Sequence, residues 1–130
     1  RMQRAKWFAE LEDATAHDDV SGLVRLLGRG LGVDDRHVDD SPLELAAVAG
    51  ASRMVDELLR RGATPTPRAL AVVAWNAPEP DDPAYEVHLA IARTLLARGV
   101  SPDADAGGAG TAREAFSDAG PRFVAELLPR

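Results

Sequence analysis

With 130 residues, 45% of them apolar and 28% charged, the chain can form one compact domain with a core and is too short for two ordinary ones. Only 5% of residues are aromatic and none is cysteine, so the core falls to Ala, Leu and Val, and disulfides, thiolate nucleophiles and cysteine zinc sites are excluded. The net charge of −6 has the wrong sign for gripping a phosphate backbone or an anionic membrane and favours a basic partner.

From the N-terminus, Trp7 and Phe8 open a helical pattern and are expected to plug the exposed end of whatever follows. Leu11 and Ala14 continue it, and Leu23, Leu26 and Leu27 mark a second helix that Gly30 stops. Around them Glu10, Glu12, Asp13, Asp18 and Asp19 give this first unit the polar outer surface of an end cap. The next stretch, 34–40, gathers Asp34, Asp35, Asp39 and Asp40 around His37, which reads either as an acidic edge for an arginine-rich partner or as a solvated, Asp-rich turn.

Ser41, Pro42 and Glu44 then spell an N-cap, a first helical position and a capping box. Leu43, Ala46 and Ala47 form one apolar stripe before Gly50, and Met54, Val55, Leu58 and Leu59 form another before Gly62. Helices of roughly ten residues are too short to stand alone and need neighbours. Thr66 and Pro67 repeat the capped start, with Leu70, Ala71 and Ala74 behind them. About twelve extra residues follow, through Trp75, Asn76 and Tyr85, in which Pro78, Pro80 and Pro83 forbid a continuous helix. Asp82 and Pro83 read as the start of the next helix, carried on by Ala92, Leu95 and Leu96 to Gly99. A last unit runs from Thr111, with Glu114 completing a second capping box, through Ala115, Gly120, Val124, Leu127 and Leu128.

These units are copies of one another. Leu11, Ala14, Leu23, Leu26 and Gly30 match Leu43, Ala46, Val55, Leu58 and Gly62 at a constant offset of 32, and Ala92, Leu95 and Gly99 match the same second helix at 37. The 41–63 unit resembles the ankyrin repeat, in which a Thr-Pro-Leu-His-x-Ala-Ala start precedes Gly, Val, Leu-Leu and Gly-Ala; Glu44 stands where that family has His. The resemblance implies an all-α solenoid of stacked antiparallel helix pairs joined by short hairpin-like fingers, in one domain, 1–130. Its repeats fall at 6–32, 39–64, 65–101 and 109–130, the third atypical, and the array is expected to be near-complete. It implies a protein-protein interaction module whose contact surface is the concave face and finger tips. Carried onto this chain, that surface comprises Ala16, His17, His37, Val38, Asp40, Val48, Ala49, Val73, Ala74, Trp75, Asp118 and Ala119. Trp75 occupies the place of the family's helix-ending glycine, and it reads either, with Asn76 and Tyr85, as an aromatic anchor for a partner or as an extra core residue packed under its own loop; Asp35 and Asp39 extend the acidic finger beside it.

Catalytic patterns are thin. His17, His37 and His88 share no metal-ligand spacing, Lys6 is the only lysine, so no P-loop can be written, and the glycines at 107–110 follow no strand. Asp103, Asp105 and Glu114 sit at calcium-loop spacing, but Gly107 and Gly110 occupy ligand-region positions and the repeat register accounts for the carboxylates. No metal, cofactor or enzymatic activity is therefore expected. No apolar run is long enough to cross a bilayer and no signal peptide is recognisable, so a cytoplasmic location is expected. Two alternative functions stay open: an immunity or antitoxin protein that blocks a basic toxin or enzyme, and a small enzyme or ligand-binding protein with a pocket near Trp75, Asn76, His88 and the proline loop.

Overall fold

A computed structural model describes residues 2–36, 40–108 and 110–128, with side chains from Lys6 onward. Its regular elements among these residues are eight helices, distributed over two compact units, Arg1–Thr64 and Pro65–Arg130. No helix among the described residues is long and apolar enough to cross a membrane.

The first unit holds α1 (Met2–Ala16), α2 (Val20–Gly28), α3 (Pro42–Ala49) and α4 (Ser52–Arg60). α1 pairs with α2 and α3 with α4, and the pairs layer so that α1 lies on α3 and α2 on α4. The apolar stripes face inward as the spacing demands: Leu11, Leu23, Leu43, Ala46, Ala47, Met54 and Leu58 are fully buried. Ala at the centre of α3 lets short helices approach closely while every buried side chain keeps a neighbour. Phe8 joins this core, and the half-buried Trp7 lays its indole beside Gly30, where φ is +118° and a Cβ would stand 3.4 Å from the ring.

The local start and stop signals act as their residue types require. Ser41 Oγ accepts from Glu44 N–H, and the Glu44 carboxylate accepts from Ser41 N–H at 3.0 Å, closing the capping box; Gly50 ends α3 in the left-handed region. α4 has no such device of its own. Its N-cap, Ala51, offers no side-chain acceptor, and the carboxylate of Asp18, from the α1–α2 turn, accepts from Arg53 N–H at 3.2 Å and Met54 N–H at 2.9 Å. Asp34 does the same between connections, accepting from Thr64 N–H at 2.9 Å and Thr64 Oγ–H at 2.8 Å. Each helix pair therefore depends on its neighbour for polar partners as well as apolar ones.

The second unit holds α5 (Pro67–Trp75), α6 (Pro83–Ala97), α7 (Ala112–Ala119) and α8 (Pro121–Leu127). α5 pairs with α6 and α7 with α8, and α5 packs on α7 and α6 on α8. Thr66 caps α5, Asp82 caps α6, and Thr111 with Glu114 forms the capping box of α7. A single residue, Gly120, with φ +120°, turns the chain from α7 into α8. Ahead of α7 the chain narrows into a hairpin-like closure, where Asp105 bridges Thr111 and Ala106 N–H donates to Gly110 at 2.8 Å.

The third helix pair departs from the others. α6 has 15 residues where α4 has 9, so the chain between Trp75 and Ala92 is an exposed link at 76–82 followed by extra helical turns. Those turns bury Tyr85 and His88. Tyr85 stacks edge-on against Phe123 (centroids 5.5 Å apart), which meets Phe116 in the same manner at 5.4 Å. His88 donates through Nδ1 to the Val73 carbonyl at 3.1 Å. Three expected surface residues are corrected. Val73 and Ala74 are buried on α5, and Tyr85, at 0% exposure, is core and cannot anchor a partner.

Candidate functional site

The surface residues singled out by sequence separate by unit. In the first, the bond from Asp18 to the start of α4 fixes the C-terminal end of α1 beside that of α3. Ala16, His17, Val48 and Ala49 occupy these ends and are all exposed, Val48 at 38%. His17 Nδ1 donates to the Asp13 carbonyl at 2.9 Å, which holds its ring along α1.

Of the two readings of the acidic segment after α2, its described part follows the Asp-rich turn more than the free acidic edge. Asp35 folds back to accept from Gly32 N–H at 2.8 Å, Asp34 is committed to Thr64, and Arg36 forks onto Glu44 through bonds of 2.9 and 3.2 Å. Asp40 is half-buried and also has an interaction partner. These carboxylates hold the connection in shape, so the free acidic edge pictured from sequence is corrected at Asp34 and Asp35. His37, Val38 and Asp39 lie outside the described residues.

In the second unit, α6 locates both inner helix ends. Its first turns place His88 on the Val73 carbonyl near the end of α5, and put the Tyr85 hydroxyl 3.5 Å from where a Cβ on Gly120 would stand, at the end of α7. The C-terminal ends of α5 and α7 therefore share one end of the unit. There Trp75 is 40% exposed, Asn76 is exposed but tethered through Nδ2–H to the Val72 carbonyl at 2.8 Å, and Asp118 is exposed on α7. Ala74 is buried and Ala119 half-buried.

Electrostatics distinguish this end from the rest of the unit. Glu86 and Glu126 both bind Arg122, and Glu126 also meets Arg93 at 3.4 Å. The guanidinium of Arg122 lies 5.6 Å from the centre of the Tyr85 ring. Hydrogen bonds from Arg122 hold the Glu126 carboxyl below its ordinary range, and the bond from Arg113 does so for Asp103. Asp105 accepts from Gly108 N–H and Glu114 from Thr111 N–H, so the carboxylates at calcium-loop spacing are engaged within the fold. Asp82 is used as a cap. Glu79, Asp81 and Asp118 alone among the unit's carboxylates have no hydrogen-bonding or charged partner among the described residues, and all three belong to the Trp75 end or the link that leaves it. Sequence reading missed Glu79 and Asp81, because their distinction lies in what does not pair with them.

A separate cleft of 370 Å³ opens between α1 and α2, where Lys6, Glu10, Asp13, Asp19 and Arg25 ring a floor of Ala9, Ala14, Gly22 and Leu26. No group of three or more His, Asp or Glu residues among the described residues is placed to hold a metal. No protein family model matches the chain, and no curated protein matches it in sequence.

Proposed function

We propose that the chain is a short ankyrin-type helical-repeat protein that binds another protein through the exposed C-terminal ends of its inner helices. The observation carrying this reading is Trp75, a large aromatic side chain left 40% exposed where the corresponding helices α3 and α7 end in Gly50 and Gly120. Large exposed aromatics on a rigid frame are where binding energy concentrates. Val48, exposed at the same end of α3, belongs to the same class of contact. The layered helix pairs, the Ser/Thr-Pro helix starts and the left-handed glycines support the family reading. Most polar side chains that could serve chemistry are occupied by caps and ion pairs, which favours binding over catalysis.

A second reading is inhibition of a basic enzyme or toxin, favoured by Glu79, Asp81 and Asp118, whose carboxylates have no hydrogen-bonding or charged partner among the described residues. Affinity capture with the wild-type chain, Trp75→Ala and Val48→Asp, followed by mass spectrometry and titration of the captured protein, tests the first reading. A stoichiometric partner whose affinity drops tenfold or more in at least one variant supports it. A partner indifferent to both variants removes the assigned surface. If the partner is an enzyme whose turnover stops at one equivalent, the second reading takes over.

A further inference from the structure

We propose that the cleft between α1 and α2 is the contact surface for a second copy of this chain, related to the first by a two-fold axis across the cleft. This surface is distinct from the helix ends assigned above to a partner protein. α1 and α2 run antiparallel: a Cβ on Gly30 would stand 3.4 Å from the Trp7 ring, and a Cβ on Gly22 would stand 3.4 Å from that of Ala14. Lys6 therefore marks one end of the cleft, and Asp13 and Asp19 mark the other. The seven positions from Lys6 to Asp13 span about 10 Å along α1 and return to nearly the same helix face. Midway between them lies Ala9, small and exposed.

The charges make this face its own complement. Arg29 neutralises Glu10, at the middle of the α1 wall, through a bond of 2.8 Å. Lys6 and Arg25 have no hydrogen-bonding or charged partner among the described residues. The Asp13 carboxylate meets His17 at 3.9 Å, and Asp19, which accepts from Gly22 N–H as the cap of α2, keeps its negative charge. A half-turn about an axis passing between Ala9 and Glu10 sets Lys6 of each copy against Asp13 of the other, because both residues lie equally far from that point. Such self-matching is what an isologous interface requires. Ala9 at the axis lets the two α1 helices approach closely, and Ala14, Gly22 and Leu26 give them an apolar seat. Lys6, Arg25 and Arg29 also balance Glu10, Asp13 and Asp19. The face is thus neutral in a chain of net charge −6, so two copies meet here without the repulsion that acts between them elsewhere.

Sedimentation equilibrium of the full chain, from about 10 µM to about 1 mM and in about 50 and 500 mM salt, tests the pairing. A dimer that weakens at the higher salt is expected. Lys6→Asp puts like charges at both Lys6–Asp13 contacts, as does Asp13→Lys, and each is expected to weaken the dimer about tenfold or more. An equimolar mixture of the two variants restores opposite charges at both contacts. It is expected to form a heterodimer within about threefold of the wild-type affinity, which an unfolded variant does not do. Circular dichroism establishes that each variant is folded. A chain that stays monomeric throughout this range, a dimer indifferent to both reversals, or a mixture that fails to recover would each overturn the proposal. A monomeric chain that loses an identified partner protein on Lys6→Asp would give the cleft to a helix of that partner and likewise overturn the second copy as its occupant.

Discussion

Replacing Asp18 with alanine removes two N–H···carboxylate bonds, at 2.9 and 3.2 Å, from the first turn of α4, a helix whose own N-cap is the inert Ala51. Loss of an N-terminal cap costs about 1 kcal/mol, and loss of a negative charge at a helix start about 0.5 kcal/mol more. Asp18 is also the one non-glycine residue with positive φ among those described, at +51°. A non-glycine residue held there costs ~1 kcal/mol, and alanine keeps that strain while giving up the cap. Asp18→Ala is therefore expected to destabilise the first unit by about 1.5 kcal/mol, or roughly 6–12 °C in midpoint for a unit of this size. Asp18→Gly loses the same bonds but relieves the backbone, so its loss should be smaller, about 0.5–1 kcal/mol. Urea denaturation followed by circular dichroism gives the ranking, and hydrogen exchange at Arg53 and Met54 gives the location. A glycine variant as unstable as the alanine variant would refute the strain assignment. An alanine variant within 0.3 kcal/mol of wild type, on the scale of roughly ±0.5 kcal/mol for ordinary surface changes, would refute the cap.

Arg36→Ala strips two hydrogen bonds from the fully buried Glu44 carboxylate and is expected to cost about 2–3 kcal/mol in urea denaturation, below the ~3–5 kcal/mol of a buried pair because Arg36 itself is about half exposed. Tyr85→Phe is expected to be neutral or to stabilise by up to ~1 kcal/mol, since the Tyr85 hydroxyl is buried without a hydrogen-bond partner among the described residues; a loss above roughly 1 kcal/mol would reveal a bond that this packing does not contain. On acidification, Glu57, Asp103 and Glu126, each held below the ordinary carboxyl range by bonds from neighbouring arginines, contribute stability that is complete above their unfolded values near ~4 and is lost as pH falls through their lower folded values. The thermal midpoint should thus be flat from neutrality to roughly pH 5 and drop below it, and Arg122→Gln, by removing the bonds to Glu126 and Glu86, should make the drop shallower.

Local signals in the chain were legible where one residue type has one physical use. Ser41, Thr66, Asp82 and Thr111 each begin a helix, Gly50 and Gly62 adopt positive φ, and the Leu and Ala stripes of α3 and α4 are buried, since capping and spacing depend only on near neighbours. Tyr85 was misread because its surroundings are set by the extra turns of α6, which no alignment to a nine-residue helix could supply. The acidic stretch at 34–40 looked like a free surface, yet Asp34 is bound to a residue thirty positions away. Asp18 likewise serves a helix 36 residues on, and a carboxylate's destination at that range is invisible to composition. Trp75 was recognisable as an anomaly because the matching helices α3 and α7 end in Gly50 and Gly120, but whether it packs under its own loop or faces outward, as its 40% exposure records, depends on the link at 76–82 and was not legible.

The lengthened α6 has a consequence for how this protein can change. A stack of interchangeable helix pairs can gain or shed a member wherever the mating faces are alike. Here Tyr85 is seated against Phe123, Glu86 is held by Arg122, and the turn at Gly120 fits over the phenol, so α6 is tailored to the pair that follows it. Deleting that last pair would expose an aromatic face and strand a carboxylate, and inserting an ordinary pair between them would leave the extra turns with nothing to meet. The third and fourth pairs are thereby joined as a single inheritable block, unable to be duplicated or lost one at a time.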